Sequence, residues 1–319
     1  MTFALRPPRV LRLGTRGSAL ALAQSRTVAA LLRGRGVPVE LVTLRTTGDR
    51  RPPDTAWGEG AFVTELEAAL LERRIDLAVH SAKDLPTRED ARLVVAACPA
   101  REDPRDALVC RVRGASLETL PLGTRVGTDS PRRRAFLLAR RPDLAVHPLH
   151  GNVDTRLRRL EAAETDALVL AVAGLARLGL AGRIDEELNP QLVPPAPGQG
   201  ALAIQARFDD EPVRALLEAL DDRATRAAVE AERAFLRACG GGCRAPIGAL
   251  GRVASGELVL LGAVASDPER APGRVAWGER TSGPGDGPSM ARGLAGALLD
   301  ELASARPGAT GLRFEEARA

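Results

Sequence analysis

Ile75-Asp76-Leu77-Ala78-Val79-His80-Ser81-Ala82-Lys83-Asp84-Leu85-Pro86 is the stretch from which the rest of this 319-residue chain can be read. Ile75 to His80 has the length and apolar character of a buried strand, and the polar turn that follows sits at its carboxyl end. In open α/β sheets ligands collect at that end of the strands. The turn also carries the one lysine among 45 basic side chains, Lys83; every other is an arginine. Arginine offers a planar, permanently charged fork, whereas lysine offers a compact ammonium whose pKa can move. Lys83 beside Asp84 is therefore the first candidate for chemistry.

On the amino-terminal side, Val10 to Gly14 reads as a strand. Ser18 can cap a helix that runs to Arg33 and ends at Gly34 and Gly36. Val37 to Arg45 alternates as a strand, and Phe62, Leu66 and Leu70 mark one buried helix face. On the other side, Leu93 to Cys98 is a strand, and the polar stretch Ala100 to Asp106 reads as a crossing to a second domain. That domain repeats the alternation, with strands at Ala107–Val112, Arg125–Gly127, Leu144–Leu149 and Ala167–Val172 and helices at Pro131–Arg140 and Asp154–Ala163. Pro194 to Gly198 is a rigid break, and the strand Ala201 to Ala206 marks a return to the first domain. From Arg223 a helix to about Ala238, strands Ile247–Val253 and Leu258–Ala265 and a helix Met290–Ala303 suggest a separate α+β unit. The expected domains are residues 1–102 with 201–220, residues 103–200, and residues 221–319.

The composition narrows the partners. With 45 basic and 41 acidic side chains the formal charge is only +4, and there are six Phe, two Trp and no Tyr. Neither a polyanion-binding charge nor the aromatic platforms that stack bases are present, so nucleic acid is not expected and small anions held by arginine are. The longest apolar run, Ala167 to Ala176, is far short of the roughly 20 residues a membrane span needs. The start of the chain does not read as an export signal. A cytoplasmic monomer is the expectation. Cys98 and Cys110 sit in apolar strands and read as buried fillers.

Several arginines fall just past strand ends: Arg16 in Gly14-Thr15-Arg16-Gly17-Ser18, Arg132-Arg133-Arg134 after Gly127-Thr128-Asp129-Ser130-Pro131, Arg156 in Gly151-Asn152-Val153-Asp154-Thr155-Arg156, and Arg177. Such forks bind carboxylates in a bidentate way, and a helix opening at Pro131 adds its own N–H groups. Taken singly, each reads first as a solvated surface charge, since charge runs usually form solvated faces. Cys239-Gly240-Gly241-Gly242-Cys243 lies after a helix. Zinc would need two more ligands, and the three histidines supply no second pair, so no metal is expected. A glycine turn can present Cys243 as a nucleophile or attachment point, although a buried or incidental thiol is the default reading of the residues alone. Gly58-Glu59-Gly60 and Pro197-Gly198-Gln199-Gly200 do not continue into a P-loop.

Taken in order, GTRGSALALAQS from Gly14, TTGD from Thr46, HSAKDLPT from His80, RDALV from Arg105, GTDSPRRR from Gly127, GNVDTRL from Gly151, AVAGLARLGL from Ala171, PAPGQGALAIQ from Pro195 and GGGCRAPIG from Gly240 resemble the porphobilinogen deaminase (hydroxymethylbilane synthase) family along nearly the whole chain. The resemblance implies an α/β fold of two lobes like those of periplasmic anion-binding proteins, plus a small α+β carboxyl-terminal domain. It implies that Cys243 holds a dipyrromethane primer through a thioether. Four porphobilinogens are then joined head to tail with loss of ammonia, and water releases the linear tetrapyrrole. Loss of ammonia leaves an electrophilic azafulvene, and Asp84 matches the acid that stabilises the charge. Lys83, Ser130, Arg132, Arg133, Arg156 and Gln199 match positions that hold the cofactor, and Arg16, Ser18, Thr128 and Arg177 match substrate contacts.

The chain departs from the family pattern at His150, where arginine is usual, and at Glu59 and Thr64, where lysines are common. A histidine lacks the fork and carries only partial charge near neutrality. It predicts a chain elongation that weakens as the imidazole loses its proton. Two rival readings remain: a family member that no longer elongates fully, and a two-lobed anion-binding protein without catalysis.

Overall fold

The computed structural model describes residues 9–44, 63–88, 90–242, 245–266 and 274–304. Cys243, Phe62, the Gly58-Glu59-Gly60 segment and the Thr46–Asp49 motif lie outside the described residues.

In the first lobe, β1 (Leu11–Arg16), α1 (Ala19–Arg33), β2 (Val39–Leu44), α2 (Thr64–Leu71), β3 (Leu77–Ser81) and β4 (Leu93–Ala97) follow one another. Their sheet has the order β2-β1-β3-β10-β4, where β10 (Leu202–Arg207) arrives from far along the chain. β1 runs parallel to β2 and β3, and β10 runs antiparallel to both β3 and β4. The second lobe contains β5 (Asp106–Cys110), β6 (Arg125–Gly127), α3 (Pro131–Arg140), β7 (Ala145–His147), α4 (Val153–Glu161), β8 (Ala167–Ala171), α5 (Val172–Arg177) and the two-residue β9 (Glu186–Glu187). Its order, β7-β6-β8-β5-β9, is the same arrangement strand for strand, with β5 antiparallel to β8 as β10 is to β3.

Local sequence explains why both sheets deliver loops to one edge. Ser18 caps α1 by accepting from the Ala21 N–H at 3.3 Å, and Ser130 caps α3 by accepting from the Arg133 N–H at 3.4 Å. Gly14 and Gly127 stand at the same register position, each opposite the second residue of the central strand. A Cβ on Gly14 would lie 2.3 Å from Ile75 Cδ1, and one on Gly127 would lie 2.9 Å from Leu149 Cδ2. Neither position has room for a side chain. Behind β1, the α1 residues Val28, Ala29 and Leu32 bury the helix face against Leu11 and Leu13. Behind β6, Phe136 and Leu137 of α3 do the same against Val126.

After β10, α6 (Glu211–Glu218) covers the first sheet with Val213 and Leu217. The third unit follows: α7 (Arg223–Ala238), the antiparallel sheet β11 (Ile247–Ala254), β12 (Glu257–Ala265) and β13 (Val275–Ser282), and α8 (Gly287–Ser304). Phe235 and Leu294 meet Leu258 and Leu260 in its core. The two chain segments that cross between lobes run side by side, with Glu102 N–H donating to Gly200 O at 3.3 Å. Glu232 of α7 ties them to the third unit. Its buried carboxylate accepts from Arg101 at 2.6 and 3.0 Å, from the Gly198 N–H at 2.6 Å and from the Gly251 N–H at 2.7 Å. A buried carboxylate is tolerable when its oxygens are filled this way.

Candidate active site

β3 ends at Ser81 and the chain turns once through Ala82-Lys83-Asp84 as a 3-10 turn. That turn is fastened from several sides. Ala82 N–H donates to Ala201 O at 3.0 Å, Gln24 Nε2 donates to Ser81 Oγ at 2.8 Å, and Arg233 of α7 donates to Leu85 O at 3.2 Å and Pro86 O at 2.8 Å. Lys83 and Asp84 are thus presented from a fixed backbone.

Across the gap, Arg132 and Arg133 of α3 fold back onto Asp106, the first residue of β5. Arg133 donates Nε and Nη2 to Asp106 Oδ1 at 3.0 and 2.7 Å, and Arg132 donates Nη1 to Oδ2 at 2.8 Å. Arg132 also donates to Pro194 O, and Arg133 to Val169 O at 2.8 Å. Gln199 joins the two lobes: its Nε2 donates to Asp106 Oδ1 at 2.9 Å while its Oε1 accepts from Lys83 Nζ at 3.1 Å. Burial alone would push the Asp106 carboxyl up, but the two guanidiniums overcome it and hold the group well below the usual carboxylate range. Burial, aided by the Arg133 charge, brings Lys83 down to about 8. The same two causes bring Arg156 down to about 10. This end of the cleft carries crowded positive charge, which carboxylates of a ligand would relieve.

Two cavities meet here. One of about 250 Å³ lies between the lobes, with Arg16, Ser18, His80, Lys83 and Asp84 on one wall and Arg133, Asn152, Asp154 and Arg156 on the other. The second, of about 180 Å³, is lined by Lys83, Asp84, Ser130, Arg132, Arg133 and Gln199, and by Leu236, Gly242, Ala245 and Ile247 of the third unit. Lys83, Asp84 and Arg133 belong to both. Gly242 and Ala245 are the described residues on either side of the pair 243–244.

Three of the expected site residues make hydrogen bonds within the protein. Thr128 is buried, and its Oγ1 accepts from the Ser130 N–H at 3.3 Å, shaping the turn before α3. Arg177 donates to Gly200 O at 2.7 Å. His150 turns its Nδ1 onto the Asp129 carboxylate. None of the three is among the residues that line either cavity. Thr64, a second departure within the described residues, is exposed at the start of α2. Sequence reasoning passed over Asp106, Asn152 and Asp154. The signal for Asp106 was an acid opening an apolar strand while two adjacent arginines needed a counter-charge. Among the described residues no group of His, Cys, Asp and Glu could hold a metal ion, and no helix is long and apolar enough to cross a membrane.

Residues 11–215 match the family described as "Porphobilinogen deaminase, dipyromethane cofactor binding domain", and residues 226–276 match "Porphobilinogen deaminase, C-terminal domain". The chain belongs to the porphobilinogen deaminase family. A porphobilinogen deaminase of Acidothermus cellulolyticus is 49% identical over 298 residues, covering 91% of this chain and 88% of that one. One from a Roseiflexus species is 47% identical over 298 residues, covering 92% and 97%. One from Mycolicibacterium paratuberculosis is 50% identical over 267 residues, covering 81% and 84%. Among solved structures, the methionine-binding protein MetQ has a TM-score of 0.43 at 16% identity, covering 66% of this chain and 89% of that chain. The family's cofactor-binding match takes in the lobe walls of both cavities, and its carboxyl-terminal match takes in Cys243.

The donor set fits a dipyrromethane. Guanidiniums of Arg132, Arg133 and Arg156 suit the acid arms of pyrroles, and the Asp84 carboxylate suits ring N–H groups.

Proposed function

We propose that this chain is an active porphobilinogen deaminase (hydroxymethylbilane synthase). It joins four porphobilinogens head to tail onto a dipyrromethane held through a thioether by Cys243, and releases ammonia and hydroxymethylbilane. The observation that carries the proposal is the sharing of Lys83, Asp84 and Arg133 by two cavities, one open between the lobes and one reaching the residues that flank 243–244.

Attachment to Cys243 is supported by the other thiols. Burial pushes Cys98, Cys110 and Cys239 up to about 11, so each stays protonated and poorly nucleophilic near neutrality. The primer, when bound, supplies a pyrrole α-carbon as nucleophile. In each round a C–N bond of the substrate breaks, a C–C bond forms, and the displaced α-proton balances the departing ammonia. Asp84 is the group we assign to these proton movements and to the positive charge that develops as ammonia leaves. Lys83, Ser130, Arg132, Arg133, Arg156 and Gln199 are proposed to hold the cofactor, and Arg16 and Ser18 the incoming substrate. Thr128, His150 and Arg177 enter as positioning groups behind that surface. Gln199 gives the two lobes a common reference, since Lys83 and Asp106 share its amide.

The proposal takes residues 1–102 with 201–220, 103–200 and 221–319 as its three domains, and a cytoplasmic monomer as its working form. The purified protein, given porphobilinogen, should release four ammonia per hydroxymethylbilane. Ammonia without a linear tetrapyrrole would favour a member that has lost full elongation, and neither product would favour a binding protein.

A further inference from the structure

His80 is the penultimate residue of β3, is 5% exposed, and lines the cavity between the lobes. Its Nε2 lies 3.1 Å from Gln205 Oε1, and Gln205 Nε2 donates to Glu67 Oε1 at 2.9 Å. The polarity of this row is set from its far end. A carboxylate only accepts, so Glu67 takes the amide N–H, which turns the amide oxygen toward the imidazole. The imidazole must then donate from Nε2, and in the neutral ring that leaves the lone pair on Nδ1. Among the described residues no hydrogen bond satisfies Nδ1. Burial holds His80 down at about 4, with the Arg16 charge adding to it and the Gln205 bond opposing, so the ring stays neutral near neutrality.

A neutral acceptor is out of keeping with the arginines around it. Arg16, Arg133 and Arg156 of the same cavity can only donate, and they suit the acid arms of a pyrrole. Nothing on an acid arm would call for an imidazole lone pair, whereas a pyrrole ring or an aminomethyl group presents N–H. Resting on the functional reading above, we propose that His80 is a further substrate-contacting residue, whose Nδ1 accepts a hydrogen bond from an N–H of the incoming monopyrrole. Gln205 and Glu67 are positioning residues that keep the ring proton on Nε2.

Two substitutions separate this role from a purely structural one. An asparagine carries its amide near the Nδ1 position, and a glutamine carries its amide near Nε2. His80→Asn keeps an acceptor for substrate and loses the bond to Gln205; His80→Gln does the reverse. With the cofactor-loaded enzyme and porphobilinogen as probe, kcat/KM of His80→Gln should fall about tenfold or more below that of His80→Asn. Equal values, or a more active His80→Gln, would overturn the proposal. If neither variant folds, 15N NMR of the wild-type holoenzyme decides. The chain has three histidines, which keeps the assignment simple. A proton on Nε2 and an Nδ1 signal that moves on adding porphobilinogen support the contact; a proton on Nδ1, or an unmoved signal during turnover, refutes it. A wild-type protein that does not turn over porphobilinogen would instead defeat the functional reading itself.

Discussion

Asp106 and Leu202 occupy the same register position in the two lobes. Each is the first residue of the antiparallel strand that enters beside the central one, Asp106 opposite Ala171 and Leu202 opposite Ser81. Both are buried, yet one is a carboxylate that collects Arg132, Arg133 and Gln199, and the other is an ordinary core residue. One strand order therefore supports two kinds of cleft wall. The second lobe uses its buried acid to aim guanidiniums. The first lobe, with no charge at that position, offers a short turn carrying Lys83 and Asp84.

The strongest way to break this contrast is to make the second lobe like the first. Asp106→Leu should strip two buried guanidiniums of their counter-charge and lower the unfolding free energy by about 3–5 kcal/mol in a denaturant titration. A variant as stable as the parent would mean that the acid does not organise its lobe. On the other wall, Asp84→Asn should leave the melting temperature within a few degrees while reducing product formation about a hundredfold or more. A large loss of stability without a loss of rate would reverse the division of labour.

A third test sharpens the lysine's part. As pH rises through about 8, Lys83 loses its charge, so product formation should fall there. In Lys83→Arg that alkaline decline should be absent, whatever the variant's absolute rate. The sign of the stability effect is also fixed. The folded value lies below the ordinary 10.5, so between about 8 and 10.5 the unfolded chain binds more protons and stability rises with pH. The smallest effect belongs to His150. With its ring on Asp129 rather than in a cavity, His150→Arg should change elongation by about threefold or less between pH 6 and 8. A larger gain would restore the expectation drawn from the sequence alone.

Much of this architecture was legible before the fold. Ser18, Gly34 and the Pro131 start fix α1 and α3 because caps are local chemistry, written in a few adjacent residues. α5 was hidden because Val172–Arg177 continues the apolar run of β8 and is too short to show a helical period. β9 was hidden because two adjacent glutamates carry no strand pattern, and β13 because its second half, Glu279 to Ser282, is polar. Within the site, Lys83 and Asp84 stood out by composition, and the arginines by their loops. The bond from Gln199 to both Lys83 and Asp106, and the row from Glu67 through Gln205 to His80, join residues more than 90 positions apart at their longest steps. Only tertiary structure creates those pairs.

The most direct measurement is the intact mass of the purified protein before and after mixing with porphobilinogen. A dipyrrole-sized addition that is absent from Cys243→Ser and grows by whole pyrrole units with substrate is the result this account requires. A bare polypeptide mass, or an adduct that survives in Cys243→Ser, would contradict it.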